Sequence, residues 1–202
     1  FISSSKKFGE KAMAKGNFLT VQSGRYKGKK IPLPSAVKGN VNCTPALLKK
    51  ALFSILDSMH LSGEIDRTES VFADLFGGSG QMGLEAVSQG FGASVIFEID
   101  SERQKEMKKY FEIYTGEISC FKRDAFRQYD MEEIMKYQYR IYFLDFPYSF
   151  WKKDSEKLHR LCTDILSLPG KNFIFVQSPE NPDWPEFTFR QAGNSFLLSS
   201  NL

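Results

Sequence analysis

Histidine and cysteine are scarce in this 202-residue chain, which has only His60 and His159 and only Cys43, Cys120 and Cys162. The cysteines are odd in number, form no Cys-x-x-Cys pair and have just the two histidines as fellow ligands, so neither a disulfide framework nor a metal site is expected. No apolar run approaches the ~20 residues that a membrane span needs. The first residues, FISSSKKFGEK, lack the apolar centre of a secretory signal, and the missing initiator Met leaves room for a short leader. A reduced, cytoplasmic, metal-free protein with no membrane partner is expected, and a monomer.

Acidic residues are nearly missing from one end. Residues 1–50 contain eleven Lys and Arg against the single acid Glu10, a net of +10, whereas the remainder has 16 basic against 23 acidic residues, a net of −7. That polarity points to a polyanionic partner for the N-terminal arm, the competing reading being a solvated face. Within the arm, RYKGKK (25–30) sets a ring among cations, which suits phosphates flanked by unpaired bases.

With 42% hydrophobic and 14% aromatic residues, the rest of the chain can bury one sizeable core. Thr44-Pro45 reads as a helix start, with Thr44 as N-cap, and Leu48, Leu52, Ile55, Leu56 and Met59 recur at helical spacing until Gly63. This helix is expected to pack the arm onto the main domain. From residue 71 the period alternates: VFADLF, helix 81–89, SVIFEI, helix 101–114 behind Ser101, EISCFKRD, helix 130–137, RIYFLD, helix 152–167, NFIFVQ. Such alternation predicts an α/β fold of parallel strands with crossover helices. The closing EFTFRQ and SFLLSS, flanking AGN, read instead as an antiparallel hairpin. Two units follow, a basic arm with its helix (1–63) and an α/β domain (64–202).

Four successive strand ends carry acids, namely Asp74, Glu98, Asp124 and Asp145, and all would line the carboxyl edge of the sheet, where open α/β folds bind ligands. After Asp74 comes a glycine loop, Gly78-x-Gly80-x-x-Gly83, leading into a helix N-terminus. Asp74 would collide with a pyrophosphate but suits an ammonium or sulfonium, which disfavours a nucleotide oxidoreductase. Glu98, with Asp100 beyond it, sits where an acid bonds ribose hydroxyls. In Asp124-Ala125-Phe126 an acceptor stands beside a ring able to sandwich a purine. Trp151 reads as a stacking, core or lid aromatic, and the two histidines receive no role.

These segments, with the Asp145-Phe146-Pro147-Tyr148 turn, resemble S-adenosylmethionine-dependent methyltransferases of the Rossmann-like class. GRYKGKKIPLP, KKALFSIL and RQAGNSFLLS resemble, more narrowly, the bacterial family that methylates a guanine exocyclic amine in small-subunit (16S) ribosomal RNA. The resemblance implies S-adenosylmethionine as cofactor, held by Asp74, Phe76, Gly78, Ser79, Gly80, Gly83, Glu98, Ile99, Asp124, Ala125 and Phe126. It implies catalysis at 145–148: the Asp145 carboxylate and the Phe146 carbonyl accept from the target amine, Pro147 shapes the turn, and Tyr148 stacks on the base. It implies ribosomal RNA or a ribosomal particle as partner, contacted by Arg25, Tyr26, Lys27, Lys29, Lys30 and Thr44.

The chain departs from that family in places. Phe146 replaces the first proline of Asp-Pro-Pro-Tyr, which removes a ring that fixes φ and adds a benzyl group near the base pocket. NCTPALLKK keeps Thr44 of an Arg-Pro-Thr segment without its arginines, and Gln177 stands where a Glu is typical. A protein that binds cofactor and RNA with weakened or lost catalysis, and a DNA adenine amino-methyltransferase, are the alternative readings.

Overall fold

The computed structural model describes residues 18–33, 44–114 and 116–200. Lys6, Lys7, Lys11, Lys15 and Lys38 of the basic arm, and Cys43, lie outside the described residues. The elements in chain order are β1 (Phe18–Thr20), β2 (Lys30–Pro32), α1 (Ala46–Leu61), β3 (Ser70–Asp74), α2 (Gln81–Ser88), β4 (Ala93–Phe97), α3 (Ser101–Phe111) and β5 (Ile118–Phe121). Then follow α4 (Glu132–Met135), β6 (Tyr139–Asp145), α5 (Tyr148–Lys153), α6 (Ser155–Leu166), β7 (Lys171–Ser178), β8 (Phe187–Ala192) and β9 (Ser195–Ser200).

Seven strands form one sheet in the order β5-β4-β3-β6-β7-β9-β8. The first five are parallel, and β9 adds antiparallel to β7 with β8 outside it, so the Rossmann-like sheet and its closing hairpin are both present. The chain starts in the middle at β3, builds outward to β5, then returns to β6 on the other side of β3. That reversal opens a crevice at the carboxyl ends of β3 and β6.

Alternation along the strands sorts side chains onto two faces. Phe72, Ile141, Phe143, Phe175 and Leu197 meet Leu48, Leu52, Phe53, Leu56 and Met59 of α1 on one face. Ala73, Tyr142, Leu144, Ile174 and Val176 meet Leu158, Leu161, Cys162 and Ile165 of α6 on the other. At ~25 cal/mol per Å² of apolar area, each fully buried Leu, Ile or Phe contributes about 1.5–3 kcal/mol, so these faces account for the register of every central strand.

Helix ends differ from the expectations in three places. Pro45, not Thr44, is the N-cap of α1; it has φ −57° and ψ 142°, and no side chain caps the helix. Thr44 lies one residue too early to cap, and its hydroxyl bonds Asp145 instead. Helix α3 is capped by Asp100, whose Oδ1 accepts from the backbone N–H of Glu102 and Arg103, so Ser101 is its first residue. The helix expected at 152–167 is broken at Asp154, with φ −158°. Trp151 and Leu158 still keep helical spacing across the break, so the pattern conceals it. At the other end of α1, Gly63 stops the helix as expected: its N–H bonds the carbonyl of His60 while the Glu64 N–H reaches Met59.

The β1–β2 hairpin lies over α2 and α3, burying Val21 and Ile31 against Leu84, Val87, Met107 and Phe111. Its turn is pinned to α2 by polar bonds: the Arg25 N–H to the Ser88 carbonyl, the Tyr26 N–H to Ser88 Oγ, and the Gln22 N–H to Glu85 Oε1 at 2.7 Å. Gly24, at φ +79°, makes this approach possible, since a Cβ there would stand 1.9 Å from the Ser88 carbonyl oxygen. Gly28 has φ +85° but open space around it. Gly28→Ala is therefore expected to cost only the left-handed strain, about 1–2 kcal/mol. Gly24→Ala adds a backbone clash and is expected to cost about 3 kcal/mol or more, read as a lower urea midpoint.

Candidate methyl-transfer site

Asp74 ends β3 and Asp145 ends β6, on the two strands that flank the crevice. The register pairs Asp74 with Phe143, so Asp145 lies two residues beyond it on the same face as Asp74. Both carboxyls are pushed well above the usual carboxylate range, chiefly because they are removed from water. Asp74 rises to about 8, with the charges of Asp145 and Glu98 adding to its burial. Asp145 rises to about 7, held from going higher by a hydrogen bond from the Thr44 side chain. A buried and a partly buried acid, neither in a salt bridge among the described residues, suit a ligand that brings positive charge.

Asp145 borders two cavities. One, of about 30 Å³, lies between Thr44, Asp74, Gly77, Ser79 and Gln81. The other, of about 730 Å³, continues across the strand ends past Gly78, Glu98, Ile99, Ala125 and Phe126 to Pro147. Gly78, at φ +54°, belongs to both cavities, and a Cβ there would meet only the Phe76 carbonyl oxygen, at 3.8 Å. The backbone thus lies open to a ligand at the place where a side chain would intrude. Gly80 is the left-handed N-cap of α2, and Gly83 lets that helix close on β4, where a Cβ would stand 2.6 Å from Ser94 Oγ.

Glu98 is buried just past β4; burial raises its carboxyl, and it accepts from the Asp100 N–H at 2.8 Å with Arg103 3.7 Å away. Strand β5 ends at Phe121, earlier than the expected EISCFKRD, so Asp124 stands in a turn and accepts from the Phe126 N–H. Ile99 is exposed at the cavity rim. S-adenosylmethionine would be held here with its cationic end at Asp74, its sugar hydroxyls at Glu98, and its base beyond the sugar among Ile99, Ala125 and Phe126. The Phe126 ring is already engaged, since Phe150 lies parallel to it at 5.4 Å, Phe146 at 6.2 Å, and Lys157 Nζ is 4.4 Å from its centroid.

Phe146 is packed into the wall of the larger cavity. Its ring is 2% exposed and packs against Phe76 at 4.9 Å and Trp151 at 5.8 Å. Trp151 is a core aromatic, stacked on Trp184, which in turn stacks on His159. Tyr148 is half exposed at the start of α5. Sequence reasoning missed Thr44 as a partner of Asp145 and Phe150 as a wall of the cavity. The α5 break hid Phe150, and a Thr before a Pro reads most simply as a cap.

On the hairpin, Lys27, Lys29 and Lys30 are exposed. Arg25 and Tyr26 are spent on docking: both bond the carboxylate of Glu117, and the Tyr26 ring sits edge-on to Tyr114 at 4.9 Å. A shallow concavity of about 700 Å³ beside them, bordered by Arg67 and Gly92, is remote from the strand-end acids. No helix among the described residues is long and apolar enough to cross a membrane, and none of their His, Cys, Asp and Glu group in a way that could hold a metal ion.

The family described as "Conserved hypothetical protein 95" matches residues 19–191. The uncharacterized methylase RP545 of Rickettsia prowazekii (strain Madrid E) is 34% identical over 84 residues, covering 41% of this chain and 35% of that protein. The chain thus matches about a third of the length of this curated relative. Among solved structures, the candidate methyltransferase yhhF of Escherichia coli superposes with a TM-score of 0.63 at 19% identity, over 92% of this chain and 99% of that one. The candidate methylase HI0767 of Haemophilus influenzae gives a TM-score of 0.65 at 21% identity, with the same coverage. At such identities these two structures carry the fold alone. The family match runs through the glycine loop, both buried carboxylates and most of the hairpin strands, and by it the chain belongs to the Conserved hypothetical protein 95 family, the bacterial methyltransferase family that its motifs resemble.

Proposed function

We propose that this protein transfers a methyl group from S-adenosylmethionine to the exocyclic amine of a guanine in RNA, with small-subunit ribosomal RNA, free or in a particle, as its substrate. The observation that carries the reading is Asp145: a partly buried carboxylate, bonded by Thr44, at the junction of the cofactor-sized cavity and the small cavity beside Asp74. When bound, S-adenosylmethionine supplies an electrophilic methyl group on a sulfonium. The chain's part is positioning and proton acceptance. An aromatic amine keeps its lone pair in the ring, and drawing its N–H groups toward Asp145 and the Phe146 carbonyl frees that pair for attack. Asp145 then takes the departing proton. Tyr148, half exposed beside the turn, offers a face for the base. The packing of the Phe146 ring against Phe76 and Trp151 supports an active site over a degraded one, because the benzyl group is taken up in the wall of the larger cavity and leaves that cavity open. Residues up to 63 contribute RNA contacts through the hairpin, and 64–202 the cofactor and the chemistry.

Incubation with labelled S-adenosylmethionine and RNA from ribosomal particles, followed by nucleoside analysis, is expected to yield guanosine methylated at its amino group. Asp145→Asn should lower kcat about 10²- to 10⁴-fold and leave cofactor affinity nearly unchanged. Because Asp145 must be ionised to accept a proton and its carboxyl is raised to about 7, kcat/KM should climb with pH through that region.

The same acids set the stability of the empty protein. Asp74 has a folded pKa of about 8, above its unfolded value, so its favourable contribution is complete below about pH 4. That contribution is lost as pH rises toward 8. Asp74→Asn should flatten the fall in Tm over this window and weaken cofactor binding in calorimetric titration.

Neutralising Lys27, Lys29 and Lys30 should weaken RNA binding and flatten the slope of log affinity against log salt, by about 0.7 for each single-strand phosphate that the variant no longer neutralises. Cofactor affinity should not change. An unchanged slope would leave the exposed lysines a solvated face.

A further inference from the structure

Gln177 is the penultimate residue of β7, on the strand beside Asp145. The parallel register pairs it with Asp145, and neighbouring strands lie about 4.8 Å apart. Two residues before them, Phe143 and Phe175 both enter the core under α1, so by strand alternation Asp145 and Gln177 share that same face. Gln177 is 5% exposed, and its Oε1 is sealed from water with no hydrogen-bond partner among the described residues. An unpaired buried amide carbonyl costs about 1–3 kcal/mol, which a fold does not retain without return.

We propose that Gln177 is a specificity-determining residue that accepts the N1–H of the target guanine while Asp145 accepts from the adjacent amine, an inference that rests on the guanine reading above. One Asp145 oxygen is engaged by the Thr44 hydroxyl. The other oxygen and Gln177 Oε1 then form two acceptors side by side on adjacent strands. Guanine presents two adjacent donors on its Watson–Crick edge, the N1–H and the 2-amino group. Adenine presents a donor at N6 but an acceptor at N1, which would face the Gln177 oxygen lone pair to lone pair. Sites built to pair with a polar group reject the analogue that leaves that group unpaired by large factors, far more than apolar pockets reject a shape.

The test uses the full chain, labelled S-adenosylmethionine and RNA from ribosomal particles, with nucleosides resolved by chromatography. Gln177→Glu keeps an acceptor and should retain guanosine methylation within about threefold, whereas Gln177→Leu should lose about 10- to 100-fold in kcat/KM with cofactor affinity unchanged. A structural role is separated by melting: because the apolar variant removes an unpaired carbonyl, its Tm should equal or exceed the parent's. A lower Tm for Gln177→Leu, or guanosine methylation by it at the parent rate, would overturn the role of Gln177 and leave the guanine reading intact. If the parent protein methylated adenosine, or transferred no methyl to RNA at all, the guanine reading and this proposal would both fall.

Discussion

Everything at the carboxyl edge of the sheet is organised around two acids largely withdrawn from water, Asp74 fully and Asp145 in part. Asp74 and Asp145 end the strands on either side of the chain reversal, on one face, and each makes the other harder to ionise. Water would stabilise both charges, and the protein replaces it with few partners: a Phe76 N–H at 3.3 Å for Asp74 and a Thr44 hydroxyl for Asp145. Those partners offer less compensation than two ionised carboxylates require. A cationic group entering there would meet Asp74 with no salt bridge among the described residues to displace.

The supporting structure is arranged to keep those carboxylates in place. The strands that bear them are central and buried on both faces, so their register cannot slip without exposing Phe72, Phe143 and Phe175. Helix α1 covers one face, and Thr44, two residues ahead of it, reaches Asp145. The aromatic group of Phe76, Phe126, Phe146 and Trp151 fills the space behind the turn at 146–148 and settles what the unusual phenylalanine does. It takes a place in the core instead of the stiffness that a proline would have given.

Much of this was legible in the residues. Alternating β and helical runs predict the parallel sheet, and apolar positions such as Leu48, Leu52 and Leu56 mark the buried face of α1. Acids at four strand ends, with the glycine loop, mark the edge where they gather. What stayed hidden depends on geometry that a linear pattern does not encode. The break at Asp154 preserves helical spacing, so Phe150 could not be placed against Phe126. Asp100 and Ser101 are both good caps, and only the chain direction selects the former. Arg25 and Tyr26 look alike to a phosphate and to Glu117, and the fold brings Glu117 within reach.

The way the hairpin is fastened has a mechanical side. Its turn carries exposed lysines at one end and is tied by backbone bonds to Ser88 and Glu85 at the other, while the Thr20 carbonyl holds the side chain of Gln81, the first residue of α2. Helix α2 is thus gripped near both ends by the hairpin, and its N-terminus is also the end of the glycine loop. A displacement of the hairpin would therefore act on a short helix whose first residues, Gln81 and Met82, line the small cavity beside Asp74. In this protein the handle and the jaw are one piece.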